Sequence, residues 1–173
     1  MKSMYVPVIW LNGPPGAGKS RLQADLCAEG WGEAVSAEQI GQNLQSVVPV
    51  KDYQNLPCWP RFVTRSILSC ESTAIIDMTC VNRRVRKIYQ SVFEKTGIQA
   101  VEIGLTASPE VLENRVLSRG GPGSAWCMSN LHRLRTGWAD LARPTIDTST
   151  MSENEVLEGV TGGLRRAAWP LFG

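Results

Sequence analysis

The chain has a single histidine, His132, and no two cysteines in a Cys-x-x-Cys spacing. That lack of clustered nitrogen and sulfur donors excludes a structural zinc site. The five cysteines, Cys27, Cys58, Cys70, Cys80 and Cys127, are odd in number. They give no disulfide framework and fit the reduced thiols of a cytoplasmic protein. No apolar run approaches the ~18 residues that cross a bilayer. The first such run, Val6 to Leu11, is too short for a secretory leader and leads into glycines rather than a cleavage site. Charge of one sign is also scarce: 18 basic against 16 acidic side chains leaves +2. That balance argues against a strongly basic nucleic-acid binder, and no nucleic-acid partner is expected. Internal repeats and low-complexity stretches are missing too.

What is present is ordinary globular material. The 173 residues amount to one domain, able to bury about 70% of the unfolded surface. Apolar residues are 43% and charged residues 20%. Arginine outnumbers lysine 13 to 5. Its planar fork suits phosphate oxygens, although genome composition alone produces the same skew.

The pattern alternates strand and helix along the whole chain. Val6 to Leu11 reads as a doubly buried central strand. Lys19 to Glu29 reads as a helix ended by Gly30, Glu33 to Ala37 as a weak strand, and Glu38 to Ser46 as a short helix. Residues 47–57 read as irregular, and Trp59 to Glu71 as a helix started by Pro60. Thr73 to Asp77 is a third strand, followed by a helix capped by Asn82 and ended by Gly97. Gln99 to Leu105 is a fourth strand, and Ser108-Pro109-Glu110 opens a helix to Arg119. Gly120 to Ser124 reads as a flexible interruption before a helix from Ser129 to Leu141. Pro144 to Asp147 fits a short edge strand, and Ser152 opens a last helix fading near Ala168. This alternation predicts an α/β fold, a three-layer parallel sheet with helices on both faces. Ligands in such folds sit beyond the C-terminal strand ends.

The most specific motif stands at the first of those ends. Gly13-Pro14-Pro15-Gly16-Ala17-Gly18-Lys19-Ser20 matches G-x-x-x-x-G-K-[ST] at every fixed position. Backbone N–H groups and a helix N-terminus turned toward one point hold a polyphosphate, and glycines allow the close approach. Lys19 is expected on the β- and γ-phosphates of ATP and Ser20 on Mg²⁺.

Other candidates follow the remaining strand ends. Asp77 stands where a carboxylate can hold Mg²⁺-bound water or accept a proton, with Thr79 two residues on. Glu38 fits a contact to acceptor or metal, and equally a first-turn helix acid. The sequence leaves open which of Glu38 and Asp77 is the base. Arg115 and Arg119 lie four apart on one helix, with Arg133 and Arg135 beyond the glycines. This predicts a lid around residues 119–135 that closes over a nucleotide, Arg115 alternatively stacking on adenine. Trp59, Trp126 and Trp138 are aromatics suited to a base or sugar, or to the core. Arg83, Arg84, Arg86 and Lys87 form a cationic cluster that can guide an anionic acceptor or face solvent. The tail from Leu164 to Gly173 fits docking on the core better than a membrane surface.

Four stretches together resemble a known family, the ATP-binding tunicamycin-resistance proteins, small bacterial P-loop proteins. They are Ile9-Trp10-Leu11-Asn12-Gly13; Val48-Pro49 with Asp52-Tyr53-Gln54-Asn55-Leu56-Pro57-Cys58-Trp59; Met78-Thr79; and Ser124-Ala125-Trp126 with Arg133. The likeness runs from about Val6 to Val156. It implies a P-loop kinase-like fold, ATP binding, and protection against tunicamycin, a uridine-containing antibiotic with a fatty acyl chain. It also implies that Gly13 to Ser20 hold ATP, and that Glu38, Thr79, Arg119, Trp126 and Arg133 are site residues. The tail is shorter than the extension some members use at membranes, so stable membrane association is not expected.

The expected activity is phosphoryl transfer from ATP to a hydroxyl of tunicamycin or a related nucleoside-like molecule. Lys19, Arg119 and Arg133 would neutralise developing charge, Glu38 or Asp77 would serve the acceptor, and residues 47–59 would line its pocket. Two alternatives stand beside it. One is ATP-dependent sequestration of the antibiotic without chemistry. The other is a kinase acting on another metabolite or on a polynucleotide end.

Overall fold

A central strand sets the architecture. β1 (Val6–Asn12) is hydrogen-bonded on both sides, to β3 (Ala74–Met78) and to β4 (Ile98–Thr106), and all these pairings are parallel. β2 (Glu33–Ser36) extends the sheet beyond β3, and β5 (Thr145–Asp147) extends it beyond β4. The order is β2-β3-β1-β4-β5. This computed structural model describes residues 6–49, 53–80, 83–120, 122–139 and 145–167. The predicted parallel sheet and helix layers are present.

Both faces of β1 are apolar, so the sheet has two cores. Val8 and Trp10 face one side and pack with Val63 and Ile67 of α3 (Trp59–Leu68) and Tyr89 and Phe93 of α4 (Arg83–Thr96). The Trp10 ring lies 5.9 Å from both Tyr89 and Phe93. Ile9 and Leu11 face the other side. They meet Leu22 and Leu26 of α1 (Lys19–Ala28), Leu112 of α5 (Pro109–Arg119) and Leu131 of α6 (Pro122–Ala139). Val156, Val160 and Leu164 of α7 (Glu153–Arg166) complete that layer. A buried Leu or Val stabilises by roughly 1.5–3 kcal/mol, so these two rows dominate the fold.

Local caps fix the helix starts. Ser36 accepts from Gln39 N at 3.1 Å and opens α2 (Ala37–Val47). Ser108 caps α5, with Pro109 in the first turn. Ser152 and Glu155 form a reciprocal capping box on α7.

Three expectations need correction. Gly120 to Ser124 is not an interruption throughout, because α6 begins at Pro122 and carries Gly123 and Ser124 in its first turn. Proline at a helix start lacks only an N–H that would be unpaired anyway. The helix expected from Ser129 therefore starts seven residues earlier. Residues 47–57 are not wholly irregular, since Tyr53–Asn55 is a 3₁₀ turn. Trp59 is a core residue, 2% exposed, with its ring 4.7 Å from Tyr53. It is therefore no substrate contact. Its helix buries Trp59, Val63 and Ile67, an i, i+4, i+8 row. The Asn82 cap, Leu141, Pro144 and the tail from residue 168 lie outside the described residues.

Candidate active site

The phosphate loop joins β1 to α1, and its shape is forced by close contacts. Gly13 has φ +157°, and a Cβ there would lie 2.2 Å from the Leu105 carbonyl oxygen. Gly16 has φ +83°, and a Cβ there would lie 2.8 Å from the Leu112 carbonyl oxygen. Neither position admits a side chain. Ala17 is fully buried, and its N–H donates to the Pro14 carbonyl at 3.3 Å, closing the turn.

Asn12 anchors the loop's first residue. Its Oδ1 accepts from Gly13 N at 2.9 Å and from Cys80 N at 2.8 Å. Its Nδ2 donates to the Cys80 carbonyl and to Glu102 Oε1, each at 3.0 Å. Glu102 in turn pairs with Arg86, whose Nε lies 2.9 Å from Oε2. This places Arg86 in the buried interior. The expectation of Arg86 as part of a solvent-facing anion guide is thus corrected. Arg83, Arg84 and Lys87 remain exposed on the outer side of α4.

Lys19 is the loop's buried cation. Its Nζ donates to the carbonyls of Gly13 at 2.9 Å and Pro14 at 3.0 Å. Burial pulls its pKa down to about 8, against the opposing pull of Asp77. Ser20, next in the helix, donates from Oγ to Asp77 Oδ2 at 2.5 Å. The register that sets Asp77 beside Leu11 brings the carboxylate to the mouth of the loop. Together Ser20 and Asp77 offer adjacent oxygen donors, the hard ligand type that Mg²⁺ takes along with phosphate oxygens and water.

The α5 and α6 groups reach the same region unevenly. Arg119 is exposed and close enough to Lys19 to act on its charge. Cys127 stands among them. Burial pushes its thiol up, Arg119 and Lys19 pull it back, and Glu38 pushes it up again. Cys127 of α6 is therefore within electrostatic reach of both Lys19 on the loop and Glu38 in the first turn of α2. Glu38 is exposed and accepts from Gln42 Nε2 at 3.3 Å. Thr79 is half-buried just past β3. Trp126 is 53% exposed. Arg133 is exposed, and its guanidinium donates to Asn130 Oδ1 at 3.0 Å. Trp126 and Arg133 are seven residues apart and share one stripe of α6, about 100° round from Cys127. Trp138 is buried in the fold.

Arg115 does not stand free over a base. Its Nη1 donates to Thr148 Oγ1 at 2.9 Å and to the Gly16 carbonyl at 3.3 Å, and its Nη2 donates to the Thr148 carbonyl at 2.9 Å. Sequence reasoning missed Asn12, Cys127 and Thr148. Only Asn12 carried a signal, as a polar residue at the end of an apolar strand. The other two are brought in by packing across the sheet end.

A phosphate loop at the head of the middle strand of a five-stranded parallel sheet, with a carboxylate on the adjacent strand, is the P-loop kinase-like fold. A family model described as an AAA domain matches residues 8–144, and the chain belongs to that family. Three solved structures give the likeness in shape. The tunicamycin resistance protein of Deinococcus radiodurans has a TM-score of 0.69 and 22% identity, covering 92% of this chain and 95% of that one. A gluconokinase from Sinorhizobium meliloti 1021 has a TM-score of 0.65 and 17% identity, covering 95% and 94%. Shikimate kinase from Acinetobacter baumannii, in complex with shikimate, has a TM-score of 0.65 and 13% identity, covering 95% and 96%. No curated protein matches the sequence. Among the described residues, no helix is long and apolar enough to cross a membrane.

Proposed function

We propose that the protein is an ATP-dependent phosphotransferase acting on a hydroxyl of a small molecule, with tunicamycin or a related nucleoside-like compound as the acceptor. The observation that carries this reading is the set of Lys19, Ser20 and Asp77 at one loop mouth, with Ser20 and Asp77 hydrogen-bonded at 2.5 Å. The likeness to the Deinococcus radiodurans tunicamycin resistance protein supports the acceptor class.

Each residue then has a task. Backbone N–H groups of the loop and the α1 N-terminus bind the phosphates. Lys19 sits against the loop and meets the β- and γ-phosphate charge, its low-dielectric setting strengthening that attraction. Ser20 Oγ and Asp77 would hold Mg²⁺, which neutralises triphosphate charge when bound. Asp77 is thereby committed to the metal side. Glu38, exposed in the first turn of α2, is left to take the acceptor hydroxyl proton. Arg119, on the lid formed by residues 119–135, adds positive charge where the phosphoryl moves. Arg133 and Trp126 join the acceptor side once that lid closes, with Thr79 at the floor.

The test is to incubate the protein with Mg-ATP and tunicamycin and weigh the antibiotic. A gain of one phosphoryl group with ADP release supports the transferase. Tight ATP-dependent binding with unchanged mass would replace it with sequestration. A parallel screen of ATP consumption over nucleosides and sugars identifies another acceptor if tunicamycin is inert.

A further inference from the structure

The phosphate loop is held from behind by a residue pair that its motif does not contain. Thr148, just after β5, is 4% exposed. Its N–H donates to the Thr106 carbonyl at 2.8 Å, and its one hydroxyl proton is shared between the Thr106 carbonyl at 3.0 Å and the Ala17 carbonyl at 3.4 Å. Thr148 therefore stands on the end of β4 and faces the loop. Arg115 spans the remaining distance, taking both the Thr148 hydroxyl and its carbonyl while its Nη1 reaches the Gly16 carbonyl. The loop is pressed onto the same helix, because Gly16 lies against Leu112 and Val116, which are four residues, about one turn, apart. The turn carrying Thr148 is itself pinned. Ser149 Oγ accepts from Ser108 N at 2.7 Å, and Asp147 Oδ1 accepts from Ser149 N at 2.9 Å.

We propose that Arg115 and Thr148 act as a strap that sets the orientation of the Gly16–Gly18 peptides, so that triphosphate affinity is governed from the turn between β5 and α7. The reasoning is geometric. In a planar trans peptide the C=O and N–H point in opposite directions. Arg115 holds the Gly16 carbonyl outward, which turns the Ala17 N–H inward onto the Pro14 carbonyl, and the Thr148 hydroxyl facing the Ala17 carbonyl turns the Gly18 N–H to the concave side where a phosphate binds. Arg115 is a planar fork whose two arms reach separate acceptors, which a lysine does not reproduce. Both residues are positioning residues, since they act through the loop backbone. This inference rests on the loop binding triphosphate and goes beyond it, because it makes base recognition and loop shape separable.

The experiment measures calorimetric affinity for Mg-ATP and for magnesium tripolyphosphate, which has no base. The proteins are the wild type, Thr148→Val, Thr148→Ser, Arg115→Met and the Arg115→Met/Thr148→Val double variant. The strap predicts that Thr148→Val and Arg115→Met each weaken both ligands by the same factor, about tenfold. Thr148→Ser restores the affinity, and the double variant loses little more than either single one. If ATP affinity falls while tripolyphosphate affinity holds, Arg115 acts on the base and the strap is wrong. If neither ligand responds in the variants, the strap is also wrong. A wild type that binds neither ligand sinks the nucleotide reading itself, a result distinct from the other two. Circular dichroism of each variant checks folding, and Arg115→Met carries the test should Thr148→Val fail it.

Discussion

Two glycine-rich connections near the site look alike on paper and behave differently in the fold. The one from Gly13 to Gly18 is fixed by contact, with Gly13 against Leu105 and Gly16 against Leu112. The one around Gly120 and Gly123 has open space among the described residues: none lies within 4 Å of a Cβ at Gly120 apart from its chain neighbours, and at Gly123 the Arg119 guanidinium stands off at 3.9 Å. In the first, glycine is demanded by a backbone approaching another backbone. In the second, Gly120 answers a left-handed φ of +61° at the end of α5, while Gly123 is merely tolerated in the first turn of α6. The proposed triphosphate binding needs donors held in advance, whereas the proposed lid needs a connection with few restraints.

The largest effect should come from the loop's cation. Lys19→Met should weaken Mg-ATP binding at least ~100-fold, read by calorimetry, because a direct charge-assisted contact is lost in a buried setting. Next comes the glycine contrast itself. Gly13→Ala should cost about 3 kcal/mol or more in denaturant unfolding, since a backbone carbonyl cannot move aside. Gly123→Ala should be neutral or stabilise by up to ~0.5 kcal/mol, as alanine is the better helix former. Equal costs at the two positions would erase the distinction.

The anchor on the inner end of the loop ranks close behind. Glu102→Ala leaves Arg86 charged and buried and removes one Asn12 partner. Its expected cost is about 3 kcal/mol, measured by chemical unfolding. The smallest effect concerns pH. Lys19 is lowered to about 8, so its charged form is complete only below that value. A triphosphate favours the charged form, so Mg-ATP affinity should fall as pH rises through 8, by about tenfold one unit above it. Binding at pH 8.5 should take up protons, visible as a dependence of the calorimetric heat on buffer ionisation enthalpy. A flat affinity from pH 7 to 9 would place the lysine in a wetter setting.

The same contrast explains what could be read in advance. The apolar run of β1, the phosphate loop behind it, and the Ser108-Pro109 start of α5 are local signals, and the structure matches them. The placement of Asp77 beside Ser20 is legible because strand ends in this architecture converge on one edge. The start of α6 is not legible locally, because Pro122 and Gly123 read as breakers where proline in fact opens a helix. Trp59 fits either a site contact or the core by type alone, and its i, i+4, i+8 row with Val63 and Ile67 is the signal that decides for the core. Arg86 and Glu102 are sixteen residues apart on different elements, and Thr148 meets the loop across 131 positions. No local pattern encodes such meetings. They arise only when the parallel pairing brings β4 and β5 to the same edge.

An ammonium group has three protons to give. In this fold Lys19 directs two of them at the carbonyls of Gly13 and Pro14. One remains for an incoming oxygen. The lysine thus offers a single directed bond plus its charge, unless the loop yields one of its own. Selectivity among anions will therefore follow how many further contacts each makes with the surrounding amides, so that compact monoanions gain little and extended polyanions gain most.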